Sequence, residues 1–519
     1  MHLVLLLCAP FLAALLMAFA SGKEGQSSSR LGLFLGLGIA ALAFPMVLCG
    51  GCATEPVAWF RLPGIGAQVN FQLGADGLSA WLLQLAAWLT PAALWASRRA
   101  VRERMREFAV WTFVLQGTIF GSLLATDAVV FFLFFEAMLV PSFILMSGFG
   151  GRRRRSASLL FVIFTAVGSA PMMIAIYYLA VICHGTGLEA MSQRMGLISQ
   201  FHMLPAGMSV ALFLAVVAAF AVKTPLLPLH GWQADTYSEA PAGTVALLSG
   251  AMAKIGVYGL LRFAIPLFPA EAHKYAGWFV LAGLAAVIYG ALVALSQSDF
   301  KRLMAFSSLG HLGLVVAGVF TFTDGGLKGA LILMVAHGLS AGGLFLLLGY
   351  LERWAKSRHL DDFGGLATRS PLFSTLLVML VLAAVGLPGT AGFVGEFLIL
   401  KALWASFGPG AALLGGLGVI LSAAYALRMV QKLLFGKPAL PLEGEADLTT
   451  GESLAIVPLV LGLVVLGFLP TFVTRSIDAS AYQGWKAKSA AQCLKCPMKS
   501  SAMMQCHKPT EESADAAGR

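Results

Sequence analysis

Charged side chains are scarce in this sequence of 519 residues. Asp, Glu, Lys and Arg together make up 12% of the residues, about half the share that is usual in soluble proteins, whereas apolar residues make up 58%. A soluble protein with this composition could not cover its surface with polar groups. Because uncharged apolar stretches recur along the whole chain, the sequence predicts that lipid surrounds most of the molecule.

Several binding signatures are also missing. The sequence has no glycine fingerprint for dinucleotides behind a predicted strand, no phosphate-binding loop, and no set of cysteines in its apolar part that could ligate an iron–sulfur cluster. The net charge of +10 suggests nucleic acid, but the basic residues lie in short clusters between apolar stretches and form no stripe interleaved with aromatic residues. We therefore expect neither redox chemistry nor nucleic-acid binding by this chain.

About fourteen apolar runs are long enough to cross a membrane, because about 20 residues of helix span the hydrocarbon core. The predicted fold class is an all-α polytopic membrane protein. The first run has no basic region ahead of it, so we expect it to remain as a helix and not to be cleaved as a signal peptide. The predicted spans lie near 2–20, 31–52, 73–96, 108–125, 127–149, 157–183, 207–229, 242–265, 276–297, 302–322, 326–350, 371–401, 410–435 and 453–475.

Basic residues are distributed unequally between alternate loops. If the N-terminus lies outside, the inner loops hold the arginine clusters at 98–106 and 152–155, and the outer loops between helices hold only scattered basic residues. This asymmetry predicts a multi-pass membrane protein with an even number of helices and both termini on the outer side. The basic tail after Ser476 is the one feature that does not follow the rule.

Two predicted helices contain proline. The seventh carries Pro225 and Pro228 in KTPLLPLHG, and the twelfth carries Pro388 in GLPGTAGFVGEF. Proline removes an intrahelical hydrogen bond, and a broken helix at membrane depth is tolerated where it lines a polar cavity. An ordinary kink would explain either proline site. Two breaks five helices apart are instead typical of a transporter built from two related halves.

Six ionisable side chains lie inside predicted helices, where a charge is costly unless it is paired or hydrated. Burial favours the neutral forms of both lysine and glutamate, so such groups exchange protons readily, and histidine does so near neutral pH. Static pairs that lock helices together would explain any one of them, and packing would explain a lone histidine. The complete row predicts a proton path. Its members are Glu136, Lys223, Lys254, His311, His337 and Glu396.

The segments around these residues resemble the antiporter-like subunits of NADH:quinone oxidoreductase, respiratory complex I. They are FFEAMLVPSFILM, KTPLLPLHGWQADTYSEAPAGTVALLSGAMAKIGVYGLLRF, RLMAFSSLGHLGLVVAG, AHGLSAGGLFLLLGYLERW and GLPGTAGFVGEFLIL. The resemblance covers roughly residues 70–435 and implies fourteen helices, two inverted five-helix repeats, and breaks in helices seven and twelve. The expected organisation is N-terminal helices 1–3 at 1–107, a first repeat at 108–265, a second at 276–435, helix 14 at 453–475 and a polar, unstructured tail at 476–519.

The resemblance also implies a role for each member of the row. Glu136 and Lys223 look like the ion pair of a first half-channel, and Lys254 looks like the central connecting lysine. His311 and His337 resemble residues that link this lysine to the second half.

Glu396 looks like the terminal residue of the exit half, and it also indicates a subtype. The L and N subunits and the Mrp antiporter subunits typically carry lysine at this position, whereas the M type carries glutamate in this sequence context. The sequence has no long lateral helix after the last predicted span, which argues against the L type.

The implied function is a proton-translocating membrane subunit that couples electron transfer from NADH to quinone to proton pumping. NADH, FMN, iron–sulfur clusters and quinone would lie on partner subunits, with subunits L and N among the partners and no cofactor or metal on this chain. Three alternatives stay open: an Mrp-type cation/proton antiporter subunit, the equivalent subunit of a membrane-bound hydrogenase or formate hydrogenlyase, and a passive scaffold. Glu396 argues against the first of these, and the buried charges argue against the last.

Two features depart from the family pattern. Lys401 would either replace a water molecule in the exit path or extend outward to the polar region of the membrane. The tail contains Cys493, Cys496, Cys506 and His507, which could ligate zinc, form a disulfide outside the cell, or belong to an unstructured tail.

Overall fold

Helices make up nearly all the regular structure of this computed structural model. The structure describes residues 1–20, 26–49, 51–200, 204–205, 207–437 and 447–476. Within these ranges, twelve helical spans are long and apolar enough to cross a membrane. The predicted class, an all-α polytopic membrane protein, is therefore confirmed. The tail with its cysteines and His507 lies outside the described residues, and its three interpretations stay open.

The helices follow one another along the chain with short connections. The first of them are α1 (His2–Phe19), α2 (Gln26–Cys49), α3 (Gly77–Ser97), α4 (Met105–Leu124), α5 (Ala128–Ala137), α6 (Leu139–Phe149), α7 (Arg154–Cys183), α8 (Leu188–Gln200), α9 (Met208–Lys223), α10 (Gln233–Glu239), α11 (Ala242–Leu247) and α12 (Ala253–Gly259). They continue with α13 (Ile265–Leu267), α14 (Pro269–Lys274), α15 (Ala276–Ser296), α16 (Phe300–Val319), α17 (Asp324–Ala355), α18 (Leu366–Arg369), α19 (Pro371–Ala384), α20 (Ala391–Phe407), α21 (Pro409–Leu434), α22 (Thr450–Phe468) and α23 (Thr471–Thr474). Two 3-10 turns occupy Arg102–Arg104 and Leu360–Asp362.

Both predicted helix breaks are present. Helix α9 ends at Lys223 and α10 begins at Gln233, with nine residues between them; α19 ends at Ala384 and α20 begins at Ala391. The prolines named above lie inside these two gaps, where the missing N–H groups need no helical partner. Together with these two crossings, the twelve helical spans bring the described residues to the predicted number of about fourteen crossings.

At the first break, one carbonyl group that the helix no longer uses finds a side-chain donor. The indole Nε1 of Trp232 donates to the carbonyl of Val222 at 3.0 Å, and both residues are buried. A backbone carbonyl without a partner is costly away from water. The tryptophan therefore stabilises the interrupted geometry.

Two further irregularities were not predicted from the sequence. The predicted span 127–149 is divided at Met138 into α5 and α6, immediately after Glu136. The predicted span 242–265 contains two π-turns, Leu248–Met252 and Leu260–Ala264, on either side of the short helix that carries Lys254. Hydrophobicity alone does not reveal such turns, because they leave the apolar pattern intact. π-turns inside helices are frequent at functional sites.

A small β-structure between α2 and α3 was also not predicted. Strand β1 (Cys52–Ala53) pairs antiparallel with β4 (Gly74–Ala75), and β2 (Val57–Arg61) pairs antiparallel with β3 (Gln68–Phe71). All residues of β2 are exposed. The strands are short and lie outside the spans, so they do not change the fold class.

The centre of the molecule is formed by two helical spans. The apolar windows of Ala242–Leu267 and of α17 are completely buried, whereas only 28% of the window in α21 is buried. Helix α17 packs against α16, α19 and α20, and α15 packs against α16. Lys254 and His337 therefore lie on the two most enclosed spans, while α1, α7, α21 and α22 present exposed apolar side chains at the periphery.

Candidate functional site

Lys254 and His337 make direct contact at the centre of the molecule. Lys254 Nζ lies 2.7 Å from His337 Nδ1 and 2.5 Å from the carbonyl oxygen of Ser249. The Ser249 carbonyl belongs to the first π-turn, where the regular helical hydrogen-bond pattern is interrupted. At this separation one hydrogen bond joins the two nitrogens, and either the lysine nitrogen or an imidazole N–H can be its donor. The contact is therefore a geometry along which a proton can pass between the two side chains.

His311 lies next to His337 and also contacts the backbone at the second helix break. The two imidazole centres are 5.2 Å apart. Nδ1 of His311 lies 2.8 Å from the carbonyl oxygen of Ser307, and Nε2 lies 2.8 Å from that of Ala384. Both carbonyls only accept hydrogen bonds, so a neutral imidazole with its single N–H serves one of them and an imidazolium serves both. This arrangement lets His311 hold a proton on either ring nitrogen.

Glu396 follows His311 at the end of the row. Its Oε1 lies 3.7 Å from His311 Nε2, and the side chain is 4% exposed. That distance is longer than a hydrogen bond. The two residues line a cavity of about 20 Å³, which has room for about one water molecule. A bridging water or a small side-chain movement would complete the link.

Tyr425 is a member of this site that sequence reasoning missed. Its hydroxyl donates to Ser307 Oγ at 2.8 Å, and its ring lines the cavity beside His311 and Glu396. Ser422, one turn earlier on α21, lines the same cavity. The signal was a hydroxyl pair at helical spacing on an otherwise apolar helix, which indicates a face turned towards a polar neighbour.

Glu136 and Lys223 form a second group, separate from this row. Lys223 is 1% exposed, and its Nζ lies 4.7 Å from the ring centre of Phe135 and 5.9 Å from that of Phe161. Among the described residues, this Nζ has no hydrogen-bond partner. Glu136 is half-buried, and both the Ser169 hydroxyl and the charge of Lys223 act on its carboxylate. The two groups are thus close enough to interact by Coulomb forces without forming a direct salt bridge.

A close helix contact joins the Glu136–Lys223 group to the row that begins at Lys254. A Cβ atom on Gly256 would lie 2.1 Å from Thr224 Oγ1 and 2.7 Å from the Phe220 carbonyl oxygen. Only glycine permits this approach of α12 to the end of α9. The helix end that carries Lys223 and the helix that carries Lys254 are consequently in direct contact.

Lys401 is exposed on α20 and does not line the cavity beside Glu396. Of its two predicted interpretations, the outward one agrees with the structure. Several ion pairs with at least one buried member were not predicted, among them Asp76 with Arg262, Glu239 with Arg358, and Glu452 with Arg353. In the part of the chain that the structure describes, no three His, Cys, Asp or Glu residues are arranged to hold a metal ion.

Comparison with known proteins places this geometry in a family. The model of the family "NADH:quinone oxidoreductase/Mrp antiporter, TM" matches residues 125–422, a range that includes all six predicted site residues. The chain is 34% identical to NADH-quinone oxidoreductase subunit M of Rhodobacter capsulatus over 91% of its own length and 94% of that protein.

Two solved structures have the same fold. A chain of respiratory complex I from Thermus thermophilus with bound NADH has a TM-score of 0.81 at 32% identity, with 92% of this chain and 98% of that chain covered. A chain of the Mrp complex from a Dietzia species also has a TM-score of 0.81, at 22% identity, with 92% and 97% covered, and this likeness concerns the fold alone. The extent of these matches establishes that the chain belongs to the NADH:quinone oxidoreductase/Mrp antiporter family of membrane proteins.

Proposed function

We propose that this chain is the M-type, proton-translocating membrane subunit of an NADH:quinone oxidoreductase. Electron transfer from NADH to quinone would take place on partner subunits and would drive proton movement through this chain. The observation that carries the proposal is the series of contacts from Lys254 through His337 and His311 to Glu396. The names of the relatives in Rhodobacter capsulatus and in the Thermus complex support it.

The row has the chemistry that stepwise proton transfer requires. A hydrogen bond joins Lys254 to His337, and His311, whose ring lies 5.2 Å from that of His337, would receive the proton from His337 and can hold it on either ring nitrogen. Glu396, beside the small cavity, would be the final acceptor. All four side chains are buried, which limits the access of bulk water to the row.

The first group supplies a switch. Glu136 is the carboxylate that interacts with Lys223, whose buried amine has no hydrogen-bond partner among the described residues. A change in the Glu136–Lys223 separation alters how strongly the amine holds a proton. Because the end of α9 touches α12 at Gly256, such a movement reaches the helix that carries Lys254.

The proposed setting follows from this function. The chain would cross the cell inner membrane with both termini on the periplasmic side, and other membrane subunits, in particular types L and N, would be its neighbours. We also propose that 108–265 and 276–435 are inverted repeats. The two broken crossings support this division, because each half contains one.

An Mrp-type antiporter subunit is the main competing function. The glutamate at position 396 argues against it, because lysine is typical there in Mrp subunits. The test is to purify the membrane assembly through a tag on this chain, identify its subunits, and reconstitute it in vesicles. We expect NADH-dependent quinone reduction coupled to acidification. An assembly that lacks NADH-oxidising subunits and exchanges Na⁺ for protons would overturn the proposal.

A further inference from the structure

A buried ion pair lies at the end of the helical span that carries Lys254. Arg262 is part of the second π-turn, and its Nη2 donates to Oδ2 of Asp76. The side chains are 6% and 15% exposed. This pair lies at the side of the membrane domain where α3 begins. We call this side the Asp76 face. The same span begins beside Glu239 at the opposite face, where the Glu239 carboxylate accepts the backbone N–H of Arg153.

Polar side chains connect the proton row to the Asp76 face. Lys254, Tyr258 and Arg262 occur at intervals of four residues, so they lie along one side of the span. Arg262 is therefore about 12 Å from Lys254 along the helix axis. Its guanidinium carbon lies 5.8 Å from the ring centre of Tyr258. A proton on Lys254 therefore has two directions in which it could leave, along this side of the helix or through His337.

The groups along this side are poorly suited to pass a proton. The Tyr258 hydroxyl donates to the carbonyl of Leu123 at 3.0 Å, so its proton is engaged with the backbone. The guanidinium of Arg262 has only donors and keeps its charge at physiological pH. Both oxygens of Asp76 are occupied, one by Arg262 and the other by the backbone N–H of Ser79 at 2.9 Å. A fixed positive charge in a narrow passage repels protons, as it does in membrane pores.

We propose that Arg262, held in place by Asp76, is an electrostatic barrier that prevents protons on Lys254 from leaving through the Asp76 face. Protons on Lys254 are thereby directed to His337. This rests on the proposed function, since Lys254 is taken to carry the transported proton. One unit charge about 12 Å away, in a medium of effective dielectric constant ~20, changes a rate roughly tenfold.

The test measures passive proton flux through the whole assembly in vesicles that contain a trapped pH dye. A potassium diffusion potential drives the flux, and no NADH is present. We expect Arg262→Gln to raise the flux about tenfold over the unmodified assembly. Arg262→Lys should keep the low flux of the unmodified assembly because it keeps the charge. Lys274 is an exposed cation on the same face, so Lys274→Gln should leave the flux unchanged. Arg262→Met serves as a second neutral variant if the glutamine variant does not assemble.

Two comparisons separate a charge barrier from a structural seal. Asp76→Asn removes the partner and keeps the cation, so it should leak far less than Arg262→Gln, and equal leakage would overturn the proposal. Adding Lys254→Ala to Arg262→Gln should abolish the extra flux, whereas flux that persists would mean that protons do not pass Lys254 and would also overturn it. The proposal would also be overturned if Arg262→Gln and Arg262→Met both left the passive proton flux unchanged. NADH-driven acidification by the unmodified assembly, measured in the same vesicles, tests the proposed function separately.

Discussion

The Glu396 carboxylate lies 3.7 Å from Nε2 of His311, while that nitrogen is 2.8 Å from the carbonyl oxygen of Ala384. The carboxylate is thus placed next to the proton that His311 shares with the backbone, but is not yet bonded to it. A shift of less than the diameter of a water molecule would let Glu396 take that proton. In the proposed path, the final transfer step would therefore be sensitive to small movements of α20.

Lys254 and Glu396 are expected to act in one path. Lys254→Ala and Glu396→Ala should each stop most NADH-driven proton uptake in vesicles, and the double variant should be little worse than the worse single variant, because residues that act as a unit are not additive. Losses that simply add would indicate two independent structural pairs. Glu396→Lys should retain part of the activity that Glu396→Ala loses, since lysine can also bind and release a proton. Subunit content is the control.

Glu136 is expected to be required for pumping but not for assembly. In Glu136→Ala the buried amine of Lys223 loses the carboxylate that interacts with it, so most NADH-driven acidification should disappear while the subunits remain present. Glu136→Asp should have a milder effect. Full pumping by an assembled Glu136→Ala variant would contradict the role of this residue.

Tyr425→Phe tests the contribution of the hydroxyl at the cavity. The change removes the hydrogen bond to Ser307 Oγ and should lower the free energy of unfolding by about 1 kcal/mol. Because the same hydroxyl lies beside His311 and Glu396, pumping should fall more than quinone reduction. Ser307→Ala removes the same bond from the other side. If the two changes add fully in stability and in pumping, the hydrogen bond does not couple these residues.

Gly256→Ala should weaken the contact between α9 and α12. A Cβ atom there would clash with Thr224 and with the Phe220 carbonyl, so we expect a loss of ~1–3 kcal/mol in the free energy of unfolding. Gly416→Ala is a matched control, because a Cβ on this helical glycine would have no neighbour within 4 Å. Thermal unfolding in detergent measures both. If Gly256→Ala melted at the same temperature as Gly416→Ala, the close contact between α9 and α12 would not contribute to the free energy of unfolding.

The orientation can be tested with a reporter fused after Arg155. Four consecutive arginines at 152–155 resist export, so the reporter should be active in the cytoplasm. A fusion within the exposed strand Val57–Arg61 should report the opposite side. A periplasmic signal after Arg155 would reverse the proposed orientation.

The sequence predicted the helices, their breaks and the six ionisable residues inside them, because each leaves a local mark such as a proline or a charge in an apolar run. It did not predict which of these residues touch. Lys254 and His337 are 83 residues apart, and only packing decides their separation. The π-turns around Lys254 and the pair of Arg262 with Asp76 have no local mark of their own. The resemblance supplied expected roles for the row but not the distances within it.

At each helix break, a ring nitrogen forms a hydrogen bond with a backbone carbonyl, but the two rings differ chemically. At the first break the donor to Val222 is the indole of Trp232, which never releases its proton under physiological conditions. At the second, the group facing the carbonyl of Ala384 is the imidazole of His311, which does release its proton. In the proposed proton path, the second break therefore binds the transported proton as a ligand. By thermodynamic linkage, whatever alters the shape of the α19–α20 turn alters the proton affinity of His311, and proton occupancy alters the turn to the same extent.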